Sequence, residues 1–207
     1  MNTMSVTHPT KFIVLCHART GSGLLGSLLS NHHSIHWANE EFKYFRQWHG
    51  PRRLLRPIIW RYPRTYLNYL AHHSERPVFG CKIAPYYMLD IGSTVVDLHR
   101  HGWLIVALRR RNSLQEAISL LVARHTGQYG RPAPQTAAAV TPTVEIALME
   151  LLAQIRSCIR LAEREQQAVA HVPHLPMVYE RELQNPARWH DAAGRVFDAL
   201  GLERVPY

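Results

Sequence analysis

Cysteine, acidic side chains and long apolar runs are all scarce in this sequence, and each scarcity removes a class of protein. The three cysteines, Cys16, Cys81 and Cys158, stand far apart with no Cys-x-x-Cys pair. That excludes a disulfide framework and a cysteine-based zinc site, and it fits a reducing compartment. No segment approaches the roughly 20 apolar residues of a spanning helix. The opening "MNTMSVTHPTK" has no apolar stretch of the kind a secretory leader carries. A cytoplasmic protein is expected. No His-Glu-x-x-His zinc motif occurs among the 14 histidines, and the pairs His32–His33 and His72–His73 read as surface or turn residues. Acidic residues number 15 against 24 Lys and Arg, a net charge of +9 with histidine neutral. This imbalance favours anionic partners: nucleotides, nucleic acid, acidic glycans or a membrane surface.

What is present is the pattern of an α/β protein. The 207 residues suit one domain, here 1–207, with a basic insert at about 43–76. Short apolar runs at 11–16, 77–83 and 103–108, a short strand within 34–42, and "LPMVYE" at 175–180 alternate with helical patterns. "WLIVAL" has no polar alternation, which suits a parallel strand covered on both faces. After it, Asn112 or Ser113 caps a helix whose Leu114, Ala117, Ile118, Leu121 and Val122 share a face. A long helix opens near Thr141–Thr143, with Pro142 in its first turn, and carries Val144, Leu148, Leu151, Leu152, Ile155 and Ile159. The predicted fold is a P-loop-like parallel sheet flanked by helices, in which ligands bind at the carboxyl ends of the strands.

Two strands end in unusual chemistry. The first runs into "HARTGSG". Gly21 and Gly23 permit a tight turn into a helix, whose N-terminus offers unpaired N–H groups and partial positive charge. Thr20 and Ser22 add hydroxyls, and Arg19 adds a forked cation. A glycine-rich turn that merely joins strand to helix is the plain alternative. The strand at 103–108 runs into "RRRNSLQEAIS", where arginines followed by Ser119 in a helix form a second anion site; solvated arginines and a surface serine are the alternative there. Two anion sites suggest a nucleotide with phosphates at both ends.

In this order and spacing the motifs resemble those of bacterial carbohydrate sulfotransferases that use 3′-phosphoadenosine 5′-phosphosulfate (PAPS), the trehalose and nodulation-factor type. The resemblance implies the sulfotransferase fold. It implies that Arg19, Thr20, Gly21, Ser22, Gly23 and Leu24 hold the 5′-phosphosulfate, and that Arg110, Arg111 and Ser119 hold the 3′-phosphate. "ARHTGQY" and the segment from "VYERELQNP" to "ALGL" also resemble the family. The family's general base, a glutamate before Phe in a G-x-x-x-E-F-like segment, maps to Glu41 of "WANEEF", with Glu40 the close second. Lys82 takes the place of a lysine that approaches the leaving phosphate. No metal is implied. The expected reaction is sulfuryl transfer from PAPS to a hydroxyl of a carbohydrate or glycolipid.

Two features depart from the family pattern. Gly23 stands where a Thr or Ser is usual, and the chain ends at Tyr207 where relatives often continue with a basic segment near the cofactor, so that part of the site is either absent or supplied by the arginines of 46–64. That arginine-rich stretch gates the acceptor site, touches an anionic membrane surface, or is a plain basic helix pair. Trp37, Trp48 and Trp60 are candidates for stacking on sugars, whereas Trp103 opens a core strand. A P-loop-like kinase or NTPase is a competing reading, disfavoured by the absent Gly-Lys-Ser/Thr. A nucleic-acid-binding module, motivated by charge, lacks a recognition motif. A relative that keeps the fold without activity is a further reading. Acceptor identity and oligomeric state, a homodimer included, stay open.

Overall fold

The computed structural model describes residues 10–45, 54–129 and 143–206. Five parallel strands, β1 (Thr10–Leu15), β2 (Ile35–Trp37), β3 (Val78–Ile83), β4 (Trp103–Arg109) and β5 (Leu175–Val178), form one sheet in the order β2-β3-β1-β4-β5. Helices cover both faces, and the expected α/β architecture, a parallel sheet flanked by helices, is what the described residues adopt. β1 is central and its side chains alternate between two cores, as the strand period requires. Phe12, Val14 and Cys16 pack with α1 (Ser22–Ser30) and with the last helix, while Ile13 and Leu15 pack into the opposite core. This two-sided covering is why the run carries no polar alternation.

The chain leaves β1 through α1 to the edge strand β2, passes α2 (Glu41–Phe45), α3 (Arg56–Arg61) and α4 (Pro63–His72), and returns as β3 beside β1. It then crosses by α5 (Ile91–Arg100) to the other side of β1 as β4. Strand order therefore reverses at β1, and the crevice at a reversal lies at the carboxyl ends of the flanking strands. The "HARTGSG" and "RRRNS" segments leave β1 and β4 at that crevice. α6 (Ser113–Thr126), α7 (Leu148–Val169), α8 (Tyr179–Glu182) and α9 (Trp189–Ala199) complete the order. Asn112 is the cap of α6, its side chain accepting from the Gln115 N–H.

Several expectations need correction. The long helix begins at Leu148: Thr143–Ala147 is irregular, and Val144 and Ile146 are β-branched residues that favour extended backbone. Thr141 and Pro142 lie outside the described residues. Its inward stripe is Gln154, Cys158, Glu165, Ala168 and Val169, while Leu148, Leu152 and Ile159 are exposed. α6 is turned likewise: Leu114 and Ile118 are exposed and Glu116 is buried. In both helices the apolar count misled because the inward face carries an acid. The second strand is only three residues long. His32 is buried rather than superficial; its Nδ1 accepts from the Ser34 N–H and its Nε2 lies 3.2 Å from the Glu203 carbonyl. All three cysteines are unbridged and buried. Trp103 is core, as expected, and Trp37 packs against Phe12 at 5.9 Å. Trp48 and the basic run 46–53 lie outside the described residues.

Candidate functional site

The exits of β1, β4 and β5 interlock. Arg19 Nε donates to Ser119 Oγ at 2.8 Å, and Arg19 Nη1 donates to the Tyr129 carbonyl at 2.6 Å. Arg110 Nη1 donates back to the Arg19 carbonyl at 3.2 Å. The two motifs thus meet in one place. Arg19 adopts a left-handed conformation (φ 69°), and the other non-glycine residue with positive φ among those described, Asn39 (φ 53°), directly precedes Glu40. Such backbone costs free energy and concentrates at functional positions. Burial, with Arg110 close by, holds the Arg19 guanidinium below its ordinary value.

Gly21 is the left-handed N-cap of α1 and supplies no side-chain cap. The first N–H groups of this nine-residue helix therefore carry no capping side chain from Gly21. Ser22 is the first helical residue and is buried. Thr20 turns inward: its hydroxyl donates to the His17 carbonyl at 3.0 Å and closes the turn from below. Leu24 packs on the α1–α9 core. A side chain added at Gly23 would meet nothing within 4 Å.

At the β4 exit Arg110 is half-buried over the Tyr179 ring, 4.5 Å from its centroid. Its Nε is buried without a hydrogen-bond partner among the described residues, the nearest acid being Glu180 at 4.0 Å. Arg111 exposes its side chain, and its backbone N–H and that of Asn112 donate to Glu180 at 3.0 to 3.1 Å. Burial opposes the Glu180 charge, but those N–H groups outweigh it and hold the carboxyl below its ordinary value. Tyr179 and Glu180 are site residues that sequence reasoning passed over. Their signal was their place at the end of "LPMVYE", a strand neighbouring β4.

The adjacent glutamates diverge. Glu40 pairs with Lys82, which is buried on β3, and lies 3.8 Å from Lys43. Burial opposes the Lys82 charge, but Cys16 and Glu40 keep its ammonium above the usual range. Glu41 instead meets Tyr66 of α4; burial pushes its carboxyl up against the pull of that hydrogen bond. Among the described residues, no group of three or more His, Cys, Asp or Glu is arranged to hold a metal ion.

Gly21→Ala tests the turn. The added Cβ would sit 2.5 Å from the Tyr179 ring at a φ of 95°. Strain of about 1–2 kcal/mol plus a clash of about 1–3 kcal/mol should lower Tm by roughly 4–20 °C. An unchanged melting curve would contradict this geometry.

No family model matches the chain. Curated relatives do. The chain is 28% identical over 192 residues to Nodulation protein H of Rhizobium tropici, an alignment covering 88% of this chain and 73% of that protein. It is 29% identical over 131 residues to Nodulation protein H of Rhizobium meliloti (strain 1021), covering 61% of this chain and 53% of the relative, and 28% identical over 142 residues to that of Rhizobium meliloti, with the same coverage. The chain thus spans about half the length of these last two. These relatives bear out the resemblance that the strand-exit motifs carry: the chain is similar to the nodulation-factor type.

Proposed function

We propose that the protein transfers a sulfuryl group from PAPS to a hydroxyl of a carbohydrate or glycolipid. The observation that carries this reading is the Arg19–Ser119 contact, which joins the two expected anion sites into one. Fit to a doubly phosphorylated nucleotide is supported by the uncapped start of α1 and by the orphaned Nε of Arg110. The backbone from Gly21 to Leu24, with Arg19 and Ser22, would hold the 5′ end, and Arg110 and Ser119 the 3′-phosphate. PAPS supplies an activated sulfuryl group whose sulfur–oxygen bond to the 5′-phosphate breaks as the acceptor oxygen bonds to sulfur.

The chain's own residues then have distinct tasks. Cations and N–H dipoles fixed in advance stabilise the charge that develops on the leaving phosphate, and Lys82 is poised for this. Glu40, committed to Lys82, orients it. Burial raises the proton affinity of Glu41, whose carboxylate meets the Tyr66 hydroxyl; it takes the acceptor's proton as general base. Arginine and lysine do the neutralising that a metal performs in other transferases.

Incubating the purified protein with labelled PAPS and a glycan panel tests this reading. Transfer is expected, and adenosine 3′,5′-bisphosphate should raise Tm in the unmodified protein but not in Arg19→Ala or Ser119→Ala. No transfer and no thermal shift would refute it. Glu41→Gln should cut turnover by about 10²–10⁴ with nucleotide affinity unchanged, whereas Glu40→Gln should weaken both. The reverse pattern would exchange the two roles.

Gly23 offers a gain-of-function test. Space is open there, so Gly23→Ser should restore a hydroxyl donor without steric cost. A hydrogen bond to a charged group contributes about 1.5–3 kcal/mol, so nucleotide affinity should rise about 10- to 100-fold. Unchanged or weaker binding would mean that position 23 does not face the phosphate.

The acceptor-side insert supports peripheral membrane contact in the cytoplasm. From Phe42 to Ser74 the sequence contains no Asp or Glu. Leu54, Leu55, Ile58 and Tyr62 are exposed, and Arg61 stacks on Tyr62. Among the described residues, no helix is long and apolar enough to cross a membrane. Cosedimentation with anionic vesicles, lost with neutral phosphatidylcholine vesicles or on Ile58→Asp, is the expected result. Indifference to lipid charge would contradict it.

A further inference from the structure

His17, the second residue of the β1 exit, is 1% exposed and plays no part in the mechanism above. Its Nδ1 lies 2.9 Å from both carboxylate oxygens of Glu165 on α7. Its Nε2 lies 2.5 Å from Glu116 Oε1 on α6, an ion contact out of line for a hydrogen bond. Both glutamates are buried as well. Two carboxylates cannot share an apolar interior without a cation between them, and His17 is that cation. Burial opposes the imidazolium, but Glu116 and Glu165 outweigh it and lift His17 to about 9.

The trio sits directly beneath the turn. The His17 carbonyl accepts from the Thr20 hydroxyl. Two residues beyond His17, Arg19 reaches Ser119, which lies three positions along α6 from Glu116. α6 is therefore tied to the β1 exit twice, inside by Glu116–His17 and outside by Ser119–Arg19. Glu165 fastens the same point to α7 and also feels the charge of Lys82.

We propose that Glu116, His17 and Glu165 form a positioning device for the anion-binding turn: the charged imidazole, bolted between α6 and α7, holds the β1 exit where Arg19 meets Ser119. The inference rests on the nucleotide reading above and deepens it. Deprotonating His17 leaves two buried carboxylates facing one another, so α6 and the turn separate and nucleotide affinity falls. The sign follows from the raised value: the clamp is complete below about pH 6.5 and is lost as pH rises through about 9. The titratable and charged groups facing it are Glu116 from α6, Glu165 from α7, Cys158 from α7 against Glu116, Lys82 from β3 beyond Glu165, and Cys16 beside it. Tyr86, before α5, also feels Glu165. Burial raises Cys16 to about 11 and Tyr86 well above its ordinary value, and Lys82 is held above its usual range. Burial raises the Glu165 carboxyl as well, and His17 is the imidazole of the set, the group whose resonances report the clamp directly.

Two measurements on the unmodified protein test this: the imidazole resonances followed by NMR, and adenosine 3′,5′-bisphosphate affinity, both from about pH 6.5 to about pH 10. The imidazole should titrate near 9, and affinity should drop by roughly tenfold or more over the same interval. Glu116→Gln removes one carboxylate and should move both midpoints down together. His17→Gln should bind weakly at every pH, with no break near 9. An imidazole that titrates near its ordinary value, or affinity that ignores the titration in both the unmodified protein and Glu116→Gln, overturns the proposal while leaving the nucleotide reading standing. Absence of nucleotide binding at every pH overturns both.

Discussion

The structure depends on bringing two guanidinium groups together at the carboxyl ends of neighbouring strands. Arg19 and Arg110 belong to different exits, yet Arg110 donates to the Arg19 carbonyl and Arg19 reaches across to the helix after β4. Like charges at such range repel, and the Arg19 backbone stands in a costly conformation as well. The arrangement persists because its surroundings over-determine it. β1 and β4 are hydrogen-bonded neighbours, so their exits cannot separate. Tyr179 lies under Arg110, and Gly21 abuts the same ring, where an added Cβ would come within 2.5 Å of it. Sheet register, one glycine and one tyrosine together fix a cationic gap.

Much of this was legible in the sequence because the elements concerned are governed by local rules. β1 and β4 are continuous apolar runs, which only a doubly covered parallel strand explains, and both ended within about a residue of their expected limits. The turn at Gly21 and the cap at Asn112 likewise announce themselves by residue type. What escaped was set by tertiary partners. Glu116 and Glu165 look like outward residues of amphipathic helices, and counting apolar positions rotates α6 and α7 away from them. They turn inward because His17 waits there, and nothing local to either helix reveals that. Tyr179 and Glu180 escaped for a similar reason: their meaning comes from β5 lying beside β4. Neighbouring side chains point apart, so Glu40 and Glu41 diverge, but which partner each finds depends on Lys82 and Tyr66, distant in the chain.

The carboxylates around the site share a logic that separates Arg19 from Arg110, Lys82 and His17. Glu180 stands behind Arg110 and caps two N–H groups of its exit; Glu40 stands against Lys82; Glu116 and Glu165 enclose His17. Each acid orients a cation and cancels part of its field, as outer partners do around metal ligands. Arg19 is held differently. Its contacts are a serine hydroxyl and a backbone carbonyl, neutral acceptors that fix the guanidinium without neutralising it. No carboxylate contacts it among the described residues. A site built to stabilise itself would pair this arginine with an acid. One built to receive an anion keeps a single pre-oriented charge uncompensated, at the uncapped start of a helix whose dipole has the same sign. That asymmetry is what distinguishes the β1 exit from an ordinary strand-to-helix turn.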